Sequence, residues 1–412
     1  MNISVLQKVD RWAGVPLCFL LTIFRKFAGG RSKSETQIRN ILIVKLAEQG
    51  STVLAHSALR RAVEMVGREN VYFVLFEENR FILELLEIIP EENIISIRAE
   101  GLFSLAQNTL GAIRLLRKLK LDAAIDMEFF ARGSAILACL SGAKTRVGFH
   151  SYFGAGPYRG DLMTHRLLYN PYLHTSQIFQ LMVESLRIDP ASLPTFGIQP
   201  PVTNDLFPKF IPKSAEVDEV KNILRREISD PTLPPLILLN PNAGDLLPLR
   251  RWPSERYVEL AKRLLEKSPE AYVAMTGAPS EVSAIENLVA QVGSPRCVSL
   301  AGKTSLRQLL VLYTLAKVLV TNDSGPAHFA SLTPIRVVTL FGPETPTLFA
   351  ARTPRETTIW KGIACSPCVN AFNNRQSSCK NNLCMQLISV EQVLTEVENA
   401  FRKTPVPQLA AV

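Results

Sequence analysis

LVTNDSGPAHFASLTPIRVVTLFG, residues 319–342, decides how this chain is read. Two β-rich runs, Lys317–Thr321 and Arg336–Phe341, flank a helix that opens at Asp323-Ser324-Gly325-Pro326. Free backbone N–H groups and the positive dipole end make such a helix start an anion site. Gly325 lets an anion approach the backbone, and Pro326 suits a first turn that needs no N–H. His328 lies in the same turn and is expected to face the same ligand. The local expectation is a phosphorylated ligand held between two parallel strands of an α/β domain.

Working outward, 412 residues exceed one ordinary core, so two domains are expected. Hydrophobic content of 47% with 20% charged residues excludes a disordered chain. The formal charge of +9 fits an acidic membrane surface or phosphorylated substrates. No basic stripe interleaved with aromatics and no helix-turn-helix signature is present, so nucleic acid is not expected as a partner. Four of the seven cysteines crowd between Cys365 and Cys384, and no cleavage site follows the N-terminal apolar run. A cytoplasmic, reducing location is expected.

That apolar run, Trp12–Phe24 (WAGVPLCFLLTIF), is bracketed by Lys8 and Arg11 on one side and Arg25 and Lys26 on the other. It is too short to span a bilayer, which takes about 20 residues. Two readings stand: a helix lying in the plane of the membrane interface, or a hydrophobic helix docked on the protein itself. The membrane reading makes residues 1–35 a membrane-associating segment and the protein peripheral on the inner face of the cytoplasmic membrane.

Strands are expected at Ile41–Lys45, Val71–Phe76, Ile94–Ile97, Leu121–Met127 and Lys144–Gly148. Helices at 52–66, 80–89, 102–119 and 132–140 alternate with them, which implies a parallel sheet covered on both faces. Between Asp189 and Pro235 proline recurs nine times around one charged helix expected near Ala215–Arg226, which suits a linker rather than central strands. The alternation then restarts at Leu236–Asn240 and continues to a last helix, Val390–Arg402. The expected domains are residues 36–195 and 235–390, with a linker at 196–234 and a C-terminal helix and tail at 391–412.

Leu236–Pro253 (LILLNPNAGDLLPLRRWP) runs a buried strand into a loop containing Asn242, then Arg250-Arg251-Trp252-Pro253. An arginine at the carboxyl end of a parallel strand can fork onto phosphate oxygens; otherwise it is a solvated surface group. The next strand ends in Thr276-Gly277-Ala278-Pro279-Ser280-Glu281. Glu281 either caps the following helix or accepts hydrogen bonds from a ribose. Neither domain has a G-x-G-x-x-G at its first strand, which counts against a dinucleotide oxidoreductase.

The NDSGPAH turn with its LFG strand, the N-x-G…RRWP loop, the MTG…E turn and the late C-x-x-C…CM together resemble glycosyltransferase family 9. This family includes ADP-heptose:lipopolysaccharide heptosyltransferases. The resemblance is strong over Leu236–Glu391 and weaker over Ile41–Gly148. It implies a GT-B fold of two Rossmann-like domains facing across a cleft, with the sugar nucleotide held by the second. Asp323, Ser324, Gly325, Pro326 and His328 would surround the diphosphate, Arg250 would neutralise it as it departs, and Glu281 would face the ribose. Asn242, Thr276 and Gly277 complete the expected donor site.

One position departs from that pattern. The family usually has Gly-Asp after the first strand, the Asp being the presumed base toward the acceptor hydroxyl, and here the pair is Gly50-Ser51. Serine has no basic group at neutral pH. Glu48 in the same LAEQGST loop is the nearest carboxylate, ahead of His56 in the following helix. Catalysis is therefore expected from Glu48, Ser51 and Arg250.

Cys365, Cys368, Cys379 and Cys384 have spacings that can close a structural zinc site, a disulfide-tied loop, or neither. No cofactor is expected for catalysis. The expected function is sugar transfer from a nucleoside-diphosphate donor, ADP-sugar favoured, to a lipopolysaccharide-core or other glycolipid or saccharide acceptor. The rival readings are a GT-B nucleotide-sugar epimerase and a non-catalytic nucleotide-sugar-binding homologue that lacks the acceptor base.

Overall fold

The computed structural model describes residues 3–27, 37–152, 154, 156–192, 209–228, 230, 232–244 and 247–403. Residues 28–35 of the N-terminal segment, most of the proline-rich stretch before Phe210, Asp245 and Leu246, and the tail after Lys403 lie outside them. The chain forms two compact units. The first takes Met1–Asp205 together with Val369–Gln376, and the second takes Leu206–Cys368 with Ser377–Val412.

The first unit holds β1 (Ile41–Val44), β2 (Val71–Phe76), β3 (Ile94–Ile97), β4 (Ala123–Asp126), β5 (Thr145–Phe149) and β6 (His165–Leu167). They form one sheet in the order β3-β2-β1-β4-β5-β6, every pairing parallel. Period-two alternation divides the core between its faces. Ile41, Ile43, Phe73 and Ile125 face the helices at His56–Val66 and Thr175–Glu184. Leu42, Val44, Val74 and Ala124 face those at Leu102–Lys118 and Arg132–Leu140.

The second unit repeats this plan with β7 (Leu236–Asn240), β8 (Tyr272–Met275), β9 (Cys297–Ser299), β10 (Val318–Asn322), β11 (Arg336–Phe341) and β12 (Glu356–Trp360). Its order, β12-β11-β10-β7-β8-β9, is again wholly parallel and has the same connectivity. Both are the Rossmann order, in which the direction of winding reverses beside the first strand and leaves a crevice at the carboxyl ends. In the first unit the crevice is between β1 and β4, and in the second between β7 and β10.

The structure sharpens the sequence expectations in several places. The helix expected from Thr52 is two, Gln49–Leu54 and His56–Val66, with Ala55 between them. The charged helix expected near Ala215–Arg226 is present as Ser214–Glu227, in the second unit, buried at Val220 and Leu224, with Arg307 donating from Nε to Glu216. The last helix, expected at Val390–Arg402, is present and belongs to the second unit. The helix Val390–Lys403 buries Val390, Val393, Leu394 and Val397 in the second unit's core, as its apolar spacing requires. The edge strands β6 and β12 lacked the long apolar run that marks a central strand.

The N-terminal run is also two helices, α1 (Ile3–Trp12) and α2 (Gly14–Phe27). Asp10 accepts from the backbone N–H groups of Arg132 and Gly133, both at 2.8 Å, and from Arg132 Nη1 at 3.0 Å. A carboxylate of α1 thus satisfies the free N–H groups at the start of the helix Arg132–Leu140. Of the bracketing bases, Arg25 turns inward onto Asp161 at 2.6 Å.

Candidate functional site

In the second unit, the β7 and β10 loops flank the crevice, and Asn322, the last residue of β10, ties them together. Its Oδ1 accepts from Trp252 N at 3.0 Å and Tyr257 Oη at 3.2 Å. Its Nδ2 donates to Pro241 O at 2.9 Å and Asn242 O at 3.3 Å. All four hydrogen-bonding positions of this fully buried amide are thereby used. Trp252 is buried beneath, its indole N–H donating to Ile388 O at 2.9 Å. Neighbouring Asn240 donates to Thr276 O and Oγ1 at 3.1 and 3.2 Å, which links the β7 and β8 loops.

On this frame Arg250 is buried rather than solvated. Its Nη1 lies 3.4 Å from Glu344 Oε2 and 3.9 Å from Asp323 Oδ2. Glu344 follows β11 and was not among the expected residues; the signal was a lone acid in FGPETP directly after an apolar strand. Burial, then the charge of Asp323, pushes the Glu344 carboxyl well above its ordinary range. Burial also raises Asp323, with Arg250 opposing. Burial thus pushes both carboxyl groups toward the neutral form, and the Arg250 guanidinium beside them opposes that shift.

Ser324, Gly325 and Pro326 start a helix of only six residues, Gly325–Ala330, with His328 buried in its interior. So short a helix has a weak dipole, which leaves Arg250 as the main positive charge of the crevice. Glu281 is spoken for in part: its Oε2 accepts from Ala278 N at 2.7 Å, the capping role weighed from sequence. A Cβ on Gly277 would come within 2.3 Å of Ile285 Cδ1, so a larger residue there would have to displace that side chain.

The first unit's crevice is lined by charge. Lys45, fully buried at the end of β1, donates to Glu128 Oε1 at 3.2 Å and to Ala47 O at 2.6 Å. Asp126 at the end of β4 pairs with Arg159 and accepts from Ser134 Oγ at 3.0 Å; burial pushes its carboxyl up to about 6. Glu48 has a left-handed backbone (φ 68°) and pairs through Oε1 with Arg375. Burial lowers the Arg375 guanidinium to about 10. Ser51 Oγ lies 2.9 Å from Glu48 O and 3.4 Å from Glu48 Oε2. His56 is buried in the following helix.

Arg375 arrives from 327 residues away on the segment Val369–Gln376, which belongs to the first unit. Phe372 on the same segment packs on Phe130 and Tyr169 at ring distances of 6.0 and 5.2 Å. Sequence reasoning missed Lys45, Asp126, Glu128, Arg159 and Arg375. The first three had a signal, since charges closed the otherwise apolar strands ILIVK and AAIDME.

Cys365, Cys368, Cys379 and Cys384 line one cavity of about 250 Å³ in the second unit, so the fold does bring them together. All seven cysteines are free in the structure. Cys379 Sγ donates to Asn381 O at 3.1 Å, and Cys368 Sγ lies 3.4 Å from Ser377 Oγ. Among the described residues no group of three or more His, Cys, Asp or Glu is drawn into the geometry of a metal site.

A family model, glycosyltransferase family 9 (heptosyltransferase), matches residues 110–378. Lipopolysaccharide heptosyltransferase 2 of Salmonella typhimurium is 34% identical over 129 residues, 31% of this chain and 36% of that protein. The chain thus matches about a third of that relative's length. Among solved structures, the family 9 glycosyl transferase of Veillonella parvula superposes with a TM-score of 0.69 at 18% identity, covering 90% of this chain and 99% of that one. Escherichia coli ADP-heptose LPS heptosyltransferase II gives 0.63 at 20% identity, covering 88% and 98%. The two solved structures establish the two-domain α/β fold of the GT-B class, and the family model extends over most of the chain. The chain belongs to glycosyltransferase family 9.

Proposed function

We propose that this chain transfers a sugar, heptose in the first instance, from an ADP-linked donor to a lipopolysaccharide-core or other glycolipid or saccharide acceptor. Family membership supports this reading, and one observation carries it: a buried arginine at the β7/β10 crevice beside Asp323, where a departing diphosphate needs a counter-charge. The acceptor oxygen attacks the anomeric carbon, the bond from that carbon to the diphosphate oxygen breaks, and the electron pair leaves on ADP. Arg250 and the Ser324-Gly325-Pro326 turn stabilise that charge, with His328 in the same turn. Asp323 serves the sugar hydroxyls better than the phosphates, because its charge repels an anion. Asn242, Thr276, Gly277 and the remaining oxygen of Glu281 hold the nucleoside.

Glu48 takes the acceptor's proton, with Arg375 fixing its carboxylate and Ser51 beside Oε2. The pairing orients the carboxylate, and both Glu48 (φ 68°) and Arg375 (φ 55°) hold left-handed backbone conformations, which suits a functional constraint. Transfer from ADP-heptose to a core acceptor lacking that heptose tests the whole reading. Glu48→Gln is expected to lower kcat about 10²- to 10³-fold with donor affinity unchanged. Undiminished turnover would clear Glu48, and no transfer by the unaltered enzyme despite ADP binding would favour the non-catalytic reading. The chemistry needs no cofactor if arginine and backbone N–H groups supply the positive charge.

The four cysteines are proposed to hold a structural zinc. What supports this reading is that all four thiols line one cavity of about 250 Å³, and zinc binds cysteines as thiolates. Protein purified without chelator is expected to carry about one zinc per chain, lost in Cys379→Ser/Cys384→Ser. Less than about half an equivalent would overturn the site. We place the protein peripherally on the inner face of the cytoplasmic membrane, since a glycolipid acceptor is presented there.

A further inference from the structure

No helix among the described residues is long and apolar enough to cross a membrane. The α1–α2 pair nevertheless has two unlike faces. Gly14, Cys18, Thr22 and Arg25 follow one another at helical spacing and face the domain. Cys18 is fully buried, Thr22 Oγ1 accepts from Asp161 N at 2.8 Å, and Arg25 pairs with Asp161. Gly160 (φ 67°) brings its backbone so close to α2 that a Cβ there would lie 2.6 Å from Cys18 O. Together with the Asp10 cap, these contacts seat the pair firmly.

The opposite face is apolar and uncovered by any described residue. Leu17, Phe19, Leu20, Phe24 and Phe27 are 47–87% exposed, and Trp12 at the end of α1 is 77% exposed. Lys8, Arg11 and Lys26 are exposed around them. The helix Leu102–Lys118, which covers the same face of the first sheet, repeats the pattern. Its Phe103 is 84% and Leu110 53% exposed, with Arg114 and Lys118 exposed further along. Apolar side chains ringed by cations, with an indole at the edge, fit the region between the headgroups and acyl chains of an anionic bilayer. Large apolar side chains clustered and exposed in this way mark a surface that meets another apolar phase.

We propose that the outer face of α2, joined by Phe103 and Leu110, is a docking surface for an anionic phospholipid bilayer. The sequence posed membrane helix and docked helix as alternatives; here one face anchors α2 and the other serves the lipid. This deepens the membrane location proposed above and does not depend on which sugar is transferred.

The test is flotation of the full chain with vesicles of 7:3 phosphatidylethanolamine to phosphatidylglycerol, against pure phosphatidylcholine, at 50 mM and 500 mM salt. Binding to the anionic vesicles at low salt is expected, weakened at least fivefold at high salt or on phosphatidylcholine. Leu20→Ser/Phe24→Ser is expected to lower binding at least tenfold, with the melting temperature and the ADP-induced shift unchanged. Lys8→Gln/Arg11→Gln/Lys26→Gln should lower it mainly on anionic vesicles. The fluorescence of Trp12, isolated by comparison with Trp12→Phe, should shift to the blue on binding. A chain that stays out of the floated fraction at low salt overturns the proposal. So does a dimer that Leu20→Ser/Phe24→Ser converts to monomer, since a second copy would then be the occupant. Vesicle binding without sugar transfer would leave this surface standing and refute only the activity.

Discussion

Arg250→Gln is expected to lower kcat/KM for the sugar nucleotide about a thousandfold and to abolish the ADP-induced thermal shift. The reason lies in the charge balance of the β7/β10 crevice. Asp323 and Glu344 are both buried there, with Arg250 3.9 and 3.4 Å from them. Remove the guanidinium, and a diphosphate must enter a water-poor site against an unopposed carboxylate. Arg250→Lys should recover part of the loss, since an ammonium keeps the charge but not the two-pronged geometry. Melting of the ligand-free variant separates lost binding from lost folding. A folded Arg250→Gln enzyme within threefold of the unaltered one would remove Arg250 from the mechanism.

The same cluster sets a pH dependence. Glu344 keeps its proton well above the usual carboxylate range because of burial and the neighbouring Asp323 charge. Above that titration the crevice gains a negative charge that it lacks below it. Affinity for ADP is therefore expected to fall as pH rises through the Glu344 titration, because an anionic ligand favours the protonated form. In Glu344→Gln the fall should flatten. A fall of the same steepness in that variant would assign the dependence to another group.

Asn322→Ala is expected to cost about 3 kcal/mol of stability in the second unit and to loosen ADP binding with it. Each of the four bonds of this amide reaches a different atom of the β7 loop, the RRWP segment or the helix after it. Truncation leaves Trp252 N–H and Pro241 C=O buried with nothing to replace the amide. Asn322→Asp is expected to be no milder, because it sets carboxylate oxygen against two carbonyl oxygens in place of N–H donors. Urea unfolding followed by tryptophan fluorescence measures the cost. A loss below about 1 kcal/mol would mean that neighbouring groups re-pair, and that the two loops do not depend on this residue.

The layout of the fold was legible in short apolar runs. VYFVLF, LILLN and RVVTLF lie on strands whose bounds need no more than local information, because strands buried on both faces are continuous in hydrophobicity. Edge strands β6 and β12 were not legible, since ETTIW is buried fully at one position only. The donor loops could be found because Gly, Pro and Arg at strand ends have local meanings. Asn322, the first letter of NDSGPAH, showed nothing in sequence of the four bonds it makes.

The acceptor side shows where local reading stops. Glu48 was visible as the nearest acid to Ser51, but its partner Arg375 is 327 residues away, and no spacing rule joins two groups over that distance. The sequence by itself determined the repeating strand–helix order, the glycine and proline turns and the family. These depend on hydrophobic period and backbone preference, which act over a few residues. Tertiary structure alone decided which charges face one another: Arg250 with Glu344, Glu48 with Arg375, Asp10 with the helix at Arg132. It also decided that α2 buries one side and bares the other. Such pairings follow from the path of the chain through the fold, which brings strand ends, helix ends and the returning segment Val369–Gln376 together whatever their distance in sequence.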